Sequence, residues 1–160
     1  MCDSEHHPTE GAEFSLLTLN APCWDYAMYF GNNQAREGEG FIPAIMDSGC
    51  SHNLIYYKDL PKGAKLKPLH NPVTYTTPGG SLVCNKTANF STKVVKANGI
   101  ASSVDLIANV SHEPCPTLLA TSAMDKFVQN RDQAHAVVDG RKIPCHPMGK
   151  TGLWLLKLHH

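Results

Sequence analysis

Three turn signals punctuate this chain, Pro78-Gly79-Gly80, Asn98-Gly99 and Asp139-Gly140, and each lies between apolar or alternating runs that read as strands. Proline in the first sets one turn angle and glycine supplies the positive one that a type II turn needs. Asn98-Gly99 is the strongest short-range hairpin signal a sequence offers. Val73-Thr-Tyr-Thr-Thr77 and Ser81-Leu-Val-Cys84 flank the first, residues 88–97 and 100–110 the second, His135–Val138 and Arg141–Cys145 the third. Phe14–Leu19, Trp24–Phe30, Asn53–Tyr57 and Gly152–Leu158 add further strands. One helix is expected, over Ser122–Asn130, where Ser122 and Asp125 make a capping-box-like start and Met124, Phe127 and Val128 share a face. Many short strands with glycine and proline turns predict an all-β fold, a closed barrel with one short C-terminal helix.

A length of 160 residues suits one domain with a modest core. Residues 1–37 read as leader and linker able to hold N-terminal strands, with 1–12 polar and frayed, and residues 38–158 read as the folded domain. Fourteen basic residues balance fourteen acidic ones, so no basic field attracts nucleic acid. No apolar run approaches bilayer length and Met1-Cys-Asp-Ser-Glu-His-His lacks a signal-peptide pattern, so no membrane association and a cytoplasmic location are expected. The six cysteines are far apart with no Cys-x-x-Cys, a poor zinc pattern, and read as reduced, buried small residues. His6-His7 and His159-His160 read as tail residues, the last pair as the stub of a purification tag, and no metal or other cofactor is expected.

The chemistry-bearing stretch is Phe41-Ile-Pro-Ala-Ile-Met-Asp47-Ser-Gly-Cys-Ser51, an apolar run that delivers Asp-Ser-Gly into a second serine and then Leu54-Ile55. Apolar residues hold Asp47 rigidly at a strand end, a hydroxyl fixes the neighbouring backbone, and Gly49 lets two such loops pack closely. The tripeptide alone arises by chance in roughly one chain of this length in ten, so its setting has to carry the reading. In the known aspartic peptidase dyad, two carboxyls held side by side share one proton, one activating water while the other protonates the scissile carbonyl. This chain holds a single Asp-(Ser/Thr)-Gly, which predicts a homodimer with the site on its two-fold axis.

Taken in order, these parts resemble a retroviral-type aspartic protease, specifically the protease region of copia-type retrotransposon polyproteins. Ile45-Met46-Asp47-Ser48-Gly49-Cys50-Ser51 resembles the family's Asp-Ser-Gly-Ala-Ser loop, and Val73-Thr-Tyr-Thr-Thr-Pro-Gly-Gly80 its Val-Thr-Leu-x-x-Gly flap strand. Val104–Val110 through Pro116-Thr-Leu-Leu-Ala-Thr121 is similar to the apolar strand and Pro-x-x-x-x-Leu-Leu-Ser segment that follow, and the Asp139-Gly140 hairpin and Gly-Leu-Trp-Leu-Leu ending also match. The resemblance runs from about Phe41 to Leu158.

It implies a homodimeric endopeptidase that cuts its own Gag-Pol-type polyprotein, in the cytoplasm or inside virus-like particles, with an acidic to near-neutral optimum. Asp47 would be the catalytic carboxyl, Ser48 the brace on the partner loop, Gly49 the close-packing glycine, and Ser51 an orienting hydroxyl. Thr77, Pro78, Gly79, Gly80 and Ser81 would form the substrate-covering flap, and Leu118, Leu119 and Ala120 the crossing segment beneath the Asp-Ser-Gly strand. Peptide would lie between flap and floor as an added strand. Cys50 replaces the usual alanine, Ala120 and Thr121 replace the glycine and arginine of vertebrate-type enzymes, and His52 comes one position before the family's histidine.

Plainer readings stand beside these. Asp47 could cap its own turn, as Asx residues do, and Pro78–Gly80 could tip an ordinary surface hairpin. A thiol enzyme built on Cys50 or Cys145 beside His52 or His146 is disfavoured, because adjacent strand residues such as Cys145 and His146 face opposite ways. The second functional reading is a domesticated or inactive copy that serves as a dimerising peptide-binding module. The third is an all-β interaction domain in which Asp-Ser-Gly is coincidence.

Overall fold

The computed structural model describes residues 13–15, 41–47, 52–77, 80–147 and 152–160. These form eleven strands: β1 (Glu13–Ser15), β2 (Ile42–Asp47), β3 (Asn53–Tyr56), β4 (Lys65–Thr77), β5 (Gly80–Val95), β6 (Ala101–Ser111), β7 (Thr117–Ala120), β8 (Lys126–Gln129), β9 (Ala134–Val138), β10 (Arg141–Pro147) and β11 (Trp154–Leu158). The fold is all-β. The expected strands Trp24–Phe30 and most of Phe14–Leu19 lie outside the described residues, as does the 1–12 leader.

The strands hydrogen-bond in the order β1-β4-β5-β6-β3-β7-β2-β11-β10-β9-β8. The chain leaves β2 at Asp47 and returns in β3, yet β3 does not lie beside β2. β7 slides between them, parallel to β2 (Ile45 opposite Leu118, Asp47 opposite Ala120) and antiparallel to β3 at Leu54 opposite Leu118. On its far side β3 runs parallel to β6, with Leu54 opposite Asn109. Such central strands are covered on both faces, which is why Pro43–Met46 and Leu118–Ala120 are apolar without alternation and buried.

Side chains on the two faces pack into separate clusters. Ile45, Leu54, Leu118, Ala120 and Leu155 meet Val73, Tyr75, Leu82 and Cys84 from β4 and β5 on one face. Ala44, Met46, Leu119, Leu156 and Leu158 meet Val94, Val104, Ala136, Ile143 and Cys145 on the other. The long strand β5 therefore contributes Leu82 and Cys84 near its start to one cluster and Val94 near its end to the other. The runs at 81–84 and 88–97 are, up to Val95, parts of one 16-residue strand, in continuous register with β6 from Lys86 to Val95.

The closed barrel is not found. β1 and β8 stand at opposite ends of the strand order, and its two halves are joined by backbone hydrogen bonds at the Lys93–His159 bridge and from the Ala97 N–H to the Lys142 carbonyl. One physical cause lies in β10, where Pro144 and Pro147 carry no N–H. Among the described residues that strand pairs with β9 from Arg141 to Cys145 but with β11 only at His146 and Pro147, so the β8–β9–β10 ribbon leaves the β11 ladder early and packs back through Ala136, Ile143 and Cys145 against Val94 and Val104.

The expected helix over Ser122–Asn130 is also absent. Thr121–Ala123 make a single 3₁₀ turn and Lys126–Gln129 form β8, paired with β9. A nine-residue segment gains little from helix propagation, whereas pairing with Ala134–Val137 satisfies its backbone at once. Asp125 does not cap a helix; its carboxylate accepts the Gly140 N–H at 3.1 Å across the ribbon.

His159 and His160 do not form a loose tail. His159 exchanges both backbone hydrogen bonds with Lys93, at 2.8 and 2.9 Å. His160 places Nε2 2.7 Å from the Asp59 carbonyl and Nδ1 3.0 Å from Thr92 Oγ1. Since a carbonyl only accepts, Nε2 carries the proton and Nδ1 accepts from the threonine. Burial lowers the imidazole's proton affinity, offset in part by Asp59.

Candidate active site

Asp47 ends β2 with no exposed area. Alternation along the strand sets it on the same face as Ile45, the face against which the β4–β5 hairpin packs. Its strand neighbour across the parallel ladder is Ala120, and Leu118 and Leu119 pair with Ile45 and Met46. The proposed crossing segment thus lies directly alongside the aspartate strand.

The expected flap strands pair with each other, Thr76 opposite Ser81 and Thr77 opposite Gly80. Gly80 has a φ of 146°, a backbone that favours glycine. Ser81 is exposed, while Val73, Tyr75, Leu82 and Cys84 below it are buried against Ile45, Leu54 and Leu118. The hairpin is therefore rooted in the same cluster as the aspartate strand. Ser48, Gly49 and Ser51 of the loop, Cys50 between them, and Pro78 and Gly79 of the tip lie outside the described residues.

A buried polar relay links the two parts, and sequence reading missed it. Asn109 donates from Nδ2 to the Tyr75 hydroxyl at 2.7 Å. That hydroxyl donates to the Asn53 carbonyl at 3.2 Å, with the His52 carbonyl at 3.4 Å. The Asn53 side chain then accepts the Ala120 N–H at 2.8 Å and donates to the Ile107 carbonyl at 3.0 Å. Asn53, Tyr75 and Asn109 are all buried, and each hydrogen bond between such groups avoids the cost of an unmade one. The available signal was a polar residue at an inward position: Asn109 breaks the run Ala108 to Val110, and Tyr75 alternates with Val73.

Cys84, Cys115 and Cys145 are buried, in keeping with the sequence expectation, while Cys2, Cys23 and Cys50 lie outside the described residues. Burial pushes Cys84 up to about 12 and Cys145 up to about 11, so neither is a nucleophile at neutral pH. Among the described residues, no three of His, Cys, Asp or Glu gather where they could hold a metal ion. Among them also, no helix is long and apolar enough to cross a membrane. No protein-family model matches the chain, and neither a curated protein nor a solved structure matches it.

Proposed function

We propose that two copies of this chain form an aspartic endopeptidase of the copia retrotransposon type, which cuts its own polyprotein by water attack between Asp47 and the Asp47 of the second copy. The observation that carries this reading is the placing of Asp47: fully buried at the end of β2, beside Ala120 of β7, on the face where the β4–β5 hairpin is rooted. A rigid strand end is what a catalytic carboxyl needs, since small misplacements cost large factors in rate. A turn-capping aspartate has no need of a third strand inserted beside it or of a hairpin anchored over the same face. In this reading Ser48 braces the partner loop, Ser51 orients the carboxyl, Gly49 permits close approach, and residues Thr77–Ser81 cover the peptide.

The test is cleavage of a precursor in which this chain keeps its polyprotein flanks. Asp47→Asn preserves shape and size and should leave the fold and dimer intact while lowering cleavage by at least about a thousand-fold, the scale set by loss of a general acid–base group. A pepstatin-type inhibitor should bind the wild type and stop the reaction. Residual cutting by purified Asp47→Asn at the wild-type rate, or no cleavage by the wild type with no inhibitor binding, would reject the proposal.

A further inference from the structure

Resting on that reading, we infer that Tyr75 is a positioning residue whose hydroxyl ties the flap hairpin to the segment beside the catalytic aspartate. The hairpin hangs from β4, and Tyr75 lies two residues before its described end at Thr77. The Tyr75 hydroxyl reaches the floor at the Asn53 carbonyl on β3, the His52 carbonyl just before it, and the Asn109 amide on β6. Asn53 passes the constraint on, because its side-chain oxygen holds the Ala120 N–H, and Ala120 stands opposite Asp47 in the β2–β7 ladder. Four strands thus meet through three side chains within one buried network.

The arrangement has a mechanical consequence. A flap must move for peptide to enter, while the carboxyls below must hold still, so the root of the hairpin has to be fixed. The aromatic ring of Tyr75 gives packing that phenylalanine would also give. Its hydroxyl fixes height and orientation, which phenylalanine cannot. β4 needs this extra fixing, since its register with β5 is broken between Pro68 and Val73, just before the flap strand begins.

Tyr75→Phe and the double variant Tyr75→Phe/Asn109→Leu separate positioning from packing. Removing one partner leaves the other buried and unpaired, but replacing both with apolar groups of similar shape is close to neutral for stability. The expected results are a fall in kcat of about tenfold for Tyr75→Phe with KM changed less than about twofold, and an Ala120 amide that exchanges about ten times faster. In the double variant, thermal stability returns toward wild type while kcat and Ala120 exchange do not. Recovery of kcat together with stability, or an unchanged kcat and Ala120 exchange in folded Tyr75→Phe, overturns the inference. Exchange needs no turnover: a wild type that cuts nothing, whose Ala120 amide still quickens in Tyr75→Phe, rejects the peptidase and keeps the tie between hairpin and floor. An inactive wild type with no quickening rejects both.

Discussion

Cys84 has no exposed area and shares its cluster with Val73, Tyr75, Leu82 and Leu118, so a thiolate there would form without water around it. Burial accordingly moves the thiol from 9.0 to about 12. The unfolded chain loses this proton first as pH rises, so the group's contribution to stability is complete below pH 9.0 and declines from there toward pH 12. Urea midpoints of wild type and Cys84→Ala should therefore converge or cross as pH is raised from 8 to 11. Iodoacetamide at pH 8 should modify Cys84 and Cys145 only on a timescale of unfolding, read by peptide mass spectrometry; rapid labelling of either in the folded chain would contradict their placement. The thiols' burial was legible because cysteines this far apart, without a metal spacing, have few other uses. The roles of Asn53, Tyr75 and Asn109 were not. A polar side chain between apolar neighbours announces burial, but its partners lie 34 and 22 residues away along the chain, beyond anything spacing can reveal.

At the scale of elements, turns proved more legible than the segments between them. Asn98-Gly99 does close a hairpin, and Gly99 has a φ of 82°. The Gly99 N–H bonds the Lys96 carbonyl at 2.9 Å, the Lys96 N–H bonds the Ile100 carbonyl at 3.0 Å, and Asn98 accepts the Ile100 N–H at 3.0 Å. The turn is therefore centred on Ala97 and Asn98, with Gly99 as the left-handed residue that follows, the three-residue hairpin pattern. A Cβ at Gly99 would meet nothing within 4 Å. The cost of Gly99→Ala is thus purely the backbone's, about 1 kcal/mol, with Gly99→Asn costing less because asparagine tolerates this region. A thermal melt measures both; a neutral Gly99→Ala would mean the turn is built otherwise. Lys126–Gln129 shows the opposite case. Phe127 and Val128 fit a helix face and a strand equally well, and the choice fell to the hairpin with β9, closed over residues 130–133 by the Asn130 N–H on the Gln133 carbonyl at 2.8 Å, a turn with no glycine or proline to announce it.

For the whole molecule, the difference between a closed barrel and this open order bears on assembly. A barrel has no edges, whereas here β1 and β8 end the order with one side unpaired within the described residues. Among the strands, the aspartate strand is the seventh in line, flanked by β7 and β11, so one chain positions its carboxyl, and the proposed mechanism asks a second copy for the other. Mixing reveals whether it does. Wild type and Asp47→Asn, unfolded together and refolded at fixed total concentration in equal amounts, give pairs of which about one quarter are wholly wild type. Cleavage should then fall to about one quarter of the unmixed rate, whether pairing is tight, where random exchange sets the fraction, or weak, where the rate follows the square of the active chain's concentration. A chain that acts alone would retain about one half under the same dilution. The distinction needs no structure of the pair, and it holds at any affinity because both regimes reduce the count of doubly competent pairs in the same proportion.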